Sequence, residues 1–169
     1  MSIGNNLLKI ESLQKDHGGF LANLCGSDHS FIRLQKANGF SRSEFSQTAL
    51  ADGVKGTSQY FVASYKNIPK LLLFIRAIDR VSGVMMVQLW VLTEINSDQV
   101  ISFINALCKK QGITRITSFV FPEEILEQNL LKKIGLDKEV RFRSQIYWRG
   151  GYRDLYLYGT NRLIRNKQD

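Results

Sequence analysis

Apolar positions along the chain recur in short β-like bursts, interrupted at a few points by a helical period. Residues 7–13 alternate loosely and predict a strand, after which Asp16 can cap a short helix through Leu24 that breaks at Gly26-Ser27-Asp28. Ser43 is positioned to cap a second helix over residues 43–50, with Phe45 and Ala49 one turn apart and Gly53 beyond its end. Residues 60–63, 71–75 and 84–92 are three β-rich runs separated by KNIPK and DRVSG, the pattern of an antiparallel meander.

After Leu92 the period becomes helical. Val100, Ile101, Phe103, Ile104, Leu107 and Cys108 make one apolar face, closed by Lys109-Lys110 and Gly112, where cations suit the helix dipole and glycine suits the cap. Residues 113–121 predict a strand, and Pro122 predicts the start of a helix through Ile134 with Ile125, Leu126, Leu130 and Ile134 facing inward and Gly135 as the stop. Val140, Phe142, Ile146 and Trp148 then alternate with Arg141, Arg143, Gln145 and Tyr147. Gly150-Gly151 reads as the two-residue turn of a hairpin. The order is strand, two helices, three strands, helix, strand, helix, two strands.

A length of 169 residues without low-complexity segments predicts one domain over residues 1–169, large enough to bury its own core. The N-terminus has no basic region followed by a long apolar stretch, and the densest apolar run, residues 71–75, is too short to cross a bilayer. A cytoplasmic protein without a membrane partner is expected, with Cys25 and Cys108 as free thiols. His17, Cys25 and His29 match no zinc spacing, so no metal is expected, and the two histidines accompany no nucleophile motif. A net charge of +8 draws the protein toward polyanions without selecting one. Arginine and aromatic residues interleave from Arg141 to Tyr158, but hairpin alternation already puts rings in the core and arginines in water, which disfavours nucleic acid as the partner.

The element order, ending in a hairpin that carries GGYRDLYLYG, resembles the GNAT superfamily of acyl-CoA-dependent N-acyltransferases over residues 7–159. The likeness is closest to the branch acting on protein N-termini, amino sugars and small amines. That branch shows a Gly-Phe pair, an arginine-bearing strand, a glycine turn, then an aromatic and an aspartate. Gly135-Leu136, Arg141 with Arg143, Gly150-Gly151, Tyr152 and Asp154 correspond here.

The resemblance implies an α+β, three-layer fold, with a central mixed but mostly antiparallel sheet of about seven strands flanked by about four helices. It implies acetyl-CoA or another acyl-CoA as co-substrate, lying between the strand ending at Leu92 and the strand beginning near Ile113, with its pyrophosphate on the start of the helix between them. The implied donor-binding residues are Val91, Leu92, Asn96, Ser97, Asp98, Gln99, Val100, Ile101 and Asn129, the amides of Val91 and Leu92 polarising the carbonyl. Glu94 is the implied base. The acid is expected from solvent or from a tyrosine of the last strand, where Tyr152 is the first candidate and Tyr156 and Tyr158 are alternatives.

The sequence departs from the family at three places. Gln99 and Ile101 stand where the pyrophosphate loop has small residues, Leu131 where the family often has an acidic tyrosine, and Glu124 where it has an asparagine, with Asn129 nearby but out of register. An amine-bearing acceptor follows from the resemblance, and a homodimer is compatible with it. The departures admit two alternatives: an acidic acyl carrier protein as donor, attracted by the positive charge, or a GNAT-like module that has lost catalysis and binds a protein or nucleic acid.

Overall fold

The computed structural model describes residues 7–26, 58–79, 81–148 and 150–160. The elements are β1 (Lys9–Ser12), a 3-10 turn (Lys15–His17) running into α1 (Gly18–Gly26), β2 (Ser58–Tyr65), β3 (Ile68–Asp79), β4 (Val84–Val91), α2 (Ser97–Gln111), β5 (Arg115–Val120), α3 (Ile125–Ile134), β6 (Asp137–Trp148) and β7 (Gly151–Gly159). All seven strands join one sheet in the order β1-β2-β3-β4-β5-β7-β6. Among the described residues only β4 and β5 run parallel, as a crossover through α2 requires, and the other pairs are antiparallel. The mixed, mostly antiparallel sheet matches expectation. Three α-helices lie among the described residues, and the helix expected over 43–50 lies outside them.

The sheet is covered on both faces, which explains why β3 reads as an unbroken apolar run rather than an alternation. Leu71, Leu73, Ile75, Met85, Val87 and Leu89 pack beneath α2 and α3, with Val100, Ile104, Cys108, Leu130 and Leu131. Leu72, Phe74, Met86 and Trp90 point the other way, against Leu21 and Leu24 of α1. The result is three layers with the core split by the sheet.

Local chemistry sets the ends of the elements. Lys66 and Asn67 take φ of 50° and 62°, the positive pair that a two-residue hairpin loop needs between β2 and β3. Asn96 caps α2 by accepting from Asp98 N at 3.0 Å, and Gly112 closes it at φ 67°.

Three expectations are corrected. Trp148 pairs with Gly151, so Gly151 belongs to β7 rather than to the turn, and Gly150 takes φ 76°. The helix expected from Pro122 begins at Ile125, because Pro122 and Glu123 form a turn in which the Glu124 carboxylate accepts from Phe121 N at 2.7 Å. Its inward positions are Glu127, Leu130 and Leu131, while Ile125 and Leu126 are 57% and 39% exposed. Leu130 and Ile134 face inward as expected, and positions 127, 130, 131 and 134 make the helical stripe, but its first member is an acid, so hydrophobicity alone misplaces its N-terminal end.

β6 is also interrupted. Residues 143–145 stand opposite Asp154 alone, and Ser144 takes φ 49°. The Asp154 carboxylate accepts from Ser144 N at 3.0 Å and from Arg141 Nε at 2.7 Å. The Ser144 amide foremost, then Arg141, hold its pKa below the usual carboxylate range.

Candidate active site

β4 and β5 pair over three positions only, Val84↔Arg115, Met85↔Ile116 and Met86↔Thr117. Beyond them β4 continues to Val91, still zipped to β3 at Leu71, and β5 continues to Val120, still zipped to β7 at Tyr156. The sheet therefore opens between two strands that are each anchored on their outer side.

Main-chain groups inside such an opening need partners, since an unpaired buried amide costs free energy. Two side chains provide them. Gln88, 3% exposed, bridges the gap on the α1 face: with its amide nitrogen turned toward Phe119 O (2.8 Å), its oxygen meets Phe119 N (3.2 Å). From the other face, Glu127 of α3 crosses to β4, its Oε1 accepting from Val91 N at 2.9 Å.

A cleft of about 420 Å³ lies at this open end. The end of β4 and the start of α2 give it Val91, Glu94, Ile95 and Ser97; α3 gives it Leu126, Asn129, Leu130, Lys132 and Lys133. The wall from α2 is a helix start, whose first N–H groups have no partner within the helix and carry partial positive charge. Lys132 and Lys133 add two full charges. An anionic group beside an apolar arm is the ligand chemistry this lining accepts.

Four of the residues anticipated from sequence line the cleft together: Val91, Glu94, Ser97 and Asn129. The others lie elsewhere. Leu92 N donates to Lys70 O at 2.9 Å within the β3–β4 ladder, so of the two anticipated amides only Val91 N faces the opening. Asn96 is engaged in capping and lines a neighbouring recess of about 300 Å³ that also includes Glu94. Gln99 turns aside to accept from Leu8 N at 2.6 Å, tying the chain before β1 to α2. Val100 is fully buried in the core, Ile101 is half-buried and Asp98 is exposed; none of the three lines the cleft.

Tyr152 and Glu94 line different cavities. Tyr152 is 68% exposed near the hairpin tip, edge-on to Tyr147, and lines an open groove of about 560 Å³ with Glu123, Arg141, Arg153, Asp154 and Tyr156. Tyr156 faces the Lys138 ammonium at 4.4 Å. Tyr158 is buried and donates to Gln128 Oε1 at 3.0 Å, and burial raises its pKa. Leu131 packs in the core beside Leu130. His29 lies outside the described residues; His17 sits beside Glu11 and Asp16 near β1.

Gln88, Glu127, Lys132 and Lys133 were not foreseen. Lys132 and Lys133 stand in the last turn of α3, and their nearness to the start of α2 is a tertiary fact.

No protein-family model matches the sequence, and neither does any curated protein. Among solved structures, the chain is similar to a RimL ribosomal L7/L12 alpha-N-protein acetyltransferase in complex with coenzyme A, at TM-score 0.70 and 13% identity over 94% of this chain and 95% of that one. It is similar to a ribosomal-protein-S5-alanine acetyltransferase from Vibrio fischeri, at TM-score 0.69 and 16% identity over 98% of each chain. A spermidine N-acetyltransferase from Vibrio cholerae in complex with CoA and spermine follows at 0.67 and 15%, over 92% of this chain and 95% of that one. The chain has the fold of the GNAT N-acetyltransferases. Among the described residues no helix is long and apolar enough to cross a membrane.

Proposed function

We propose that the protein is an N-acyltransferase that moves an acyl group from an acyl-CoA thioester to a primary amine. The parting of β4 from β5 after Met86 and Thr117 carries this reading, because it exposes a strand edge beside a cleft able to take an anion. Fold likeness to N-acetyltransferases solved with coenzyme A supports the same chemistry.

In the proposed reaction the pantetheine arm follows the β4 edge and the diphosphate lies near Ser97, with Lys132 and Lys133 adding positive charge beside the start of α2. The amine nitrogen attacks the thioester carbonyl, and Val91 N is placed to stabilise the oxygen as it gains charge. Glu94, on the rim of the cleft, takes the proton from nitrogen, directly or through water. The C–N bond forms, the C–S bond breaks, and the thiolate leaves with a proton from solvent, since Leu131 has none to give. Alignment of the two reactants supplies much of the rate.

Acetyl-CoA titration and acetyl transfer to a panel of primary amines test the reading. Transfer is expected, and Glu94→Gln is expected to lower kcat by about 10²-fold or more with little change in donor affinity. No binding and no transfer would refute it. Gln99 and Ile101 at the small-residue positions, with a charge of +8, favour an acidic acyl carrier protein as the alternative donor. Comparing transfer from a loaded carrier with transfer from acyl-CoA decides between them.

A further inference from the structure

The inner face of α3 is apolar at Leu130 and Leu131, yet its first inward position is Glu127, only 9% exposed. A leucine there would extend the stripe at no electrostatic cost, whereas a buried carboxylate is expensive unless firmly hydrogen-bonded. Glu127 meets that need by accepting the Val91 amide at 2.9 Å. In β4 the residues in phase with Leu92 point their amides at β3, as the Leu92 N to Lys70 O bond shows, so Val91, one residue earlier, points across the opening. The carboxylate thus occupies the slot-facing amide that the proposed chemistry needs for the thioester oxygen.

We propose that Glu127 is a positioning residue that holds the Val91 amide in the donor-free protein and yields it to the acyl carbonyl oxygen when the thioester binds. The inference rests on the acyltransferase reading. No covalent bond changes in the exchange: Val91 N–H leaves one acceptor for another, and the carboxylate moves into the cleft lined by Asn129, Lys132 and Lys133. Two consequences follow. The donor must displace a charge-assisted hydrogen bond, so its affinity is lower than the slot alone would give. Free coenzyme A has no acyl carbonyl to offer Val91, so it leaves the Glu127 bond in place and its affinity does not depend on Glu127.

The test is calorimetric titration of the full chain and its Glu127→Ala and Glu127→Gln variants with acetyl-CoA and, separately, coenzyme A, with thermal unfolding of each variant as a check on folding. Glu127→Ala is expected to bind acetyl-CoA about tenfold more tightly, the scale of one lost charge-assisted hydrogen bond. Glu127→Gln, whose neutral amide accepts more weakly, should fall between the two, and affinity for coenzyme A should change by less than about threefold. Should the alanine variant fail to fold, the glutamine variant carries the test and must still exceed the parent in acetyl-CoA affinity. Parent-like or weaker acetyl-CoA binding by folded variants, or equal gains for both ligands, overturns the exchange and leaves the acyltransferase reading standing. Absence of binding by the parent protein overturns the reading and the exchange together.

Discussion

Gly159 sits where a Cβ would stand 2.6 Å from the Glu139 carboxylate carbon and from Oε1. That carboxylate is held by Arg115 at 2.5 Å, and Arg115 also donates to Thr160 O at 3.0 Å, so it has little freedom to retreat. Gly159→Ala should therefore break the ion pair and lower stability by ~1–3 kcal/mol, read as a fall in Tm. Cys108 is a second residue whose environment fixes its behaviour. Burial pushes its thiol from 9.0 up to about 11. The folded chain keeps the proton where the unfolded chain gives it up, so this contribution is full below about pH 9 and is lost as pH rises toward 11, by ~2 kcal/mol. In a Cys25→Ser background Cys108 should resist thiol reagents at pH 8 until the protein unfolds; rapid labelling of the folded protein would contradict its burial.

At the scale of elements, the sheet opens because β4 and β5 stop pairing after three positions and side chains replace the missing ladder. Gln88→Leu keeps the bulk but removes both bonds to the Phe119 main chain, and it should cost ~1–3 kcal/mol and weaken donor binding. A variant with parent-like Tm and affinity would show that the bridge is idle. These elements also show what sequence could and could not reveal. The strands of the meander and both crossover helices were legible because their apolar periods are regular. Gly151 was assigned to the hairpin turn because two adjacent glycines both suit a turn, and the pairing of Tyr147 with Tyr152 selects between them. The N-terminal half of the α3 face was misread because its first inward residue is Glu127, while Leu130 and Ile134 were placed correctly. Val91, Glu94, Ser97 and Asn129, anticipated from the strand end, the helix start and the family likeness, line one cleft. Lys132, Lys133 and the two bridging side chains were not, because their roles depend on which elements become neighbours and on where two parallel strands separate.

For the molecule as a whole, the one parallel pair among the described strands opens the sheet beside a cleft. The antiparallel neighbours stay zipped on either side, the crossover through α2 brings a helix start to the mouth of the opening, and α3 closes the far wall with two cations. A charge of +8 favours the approach of an anionic donor. The central claim is that the opening between β4 and β5 receives the thioester. A crystal structure of the protein with acetyl-CoA tests it most directly. The account predicts the acetyl group beside Val91, the pantetheine arm along β4 beyond Met86, and the diphosphate at Ser97 within reach of Lys132 and Lys133; a donor bound at any other surface, or β4 and β5 hydrogen-bonded to their ends, would contradict it.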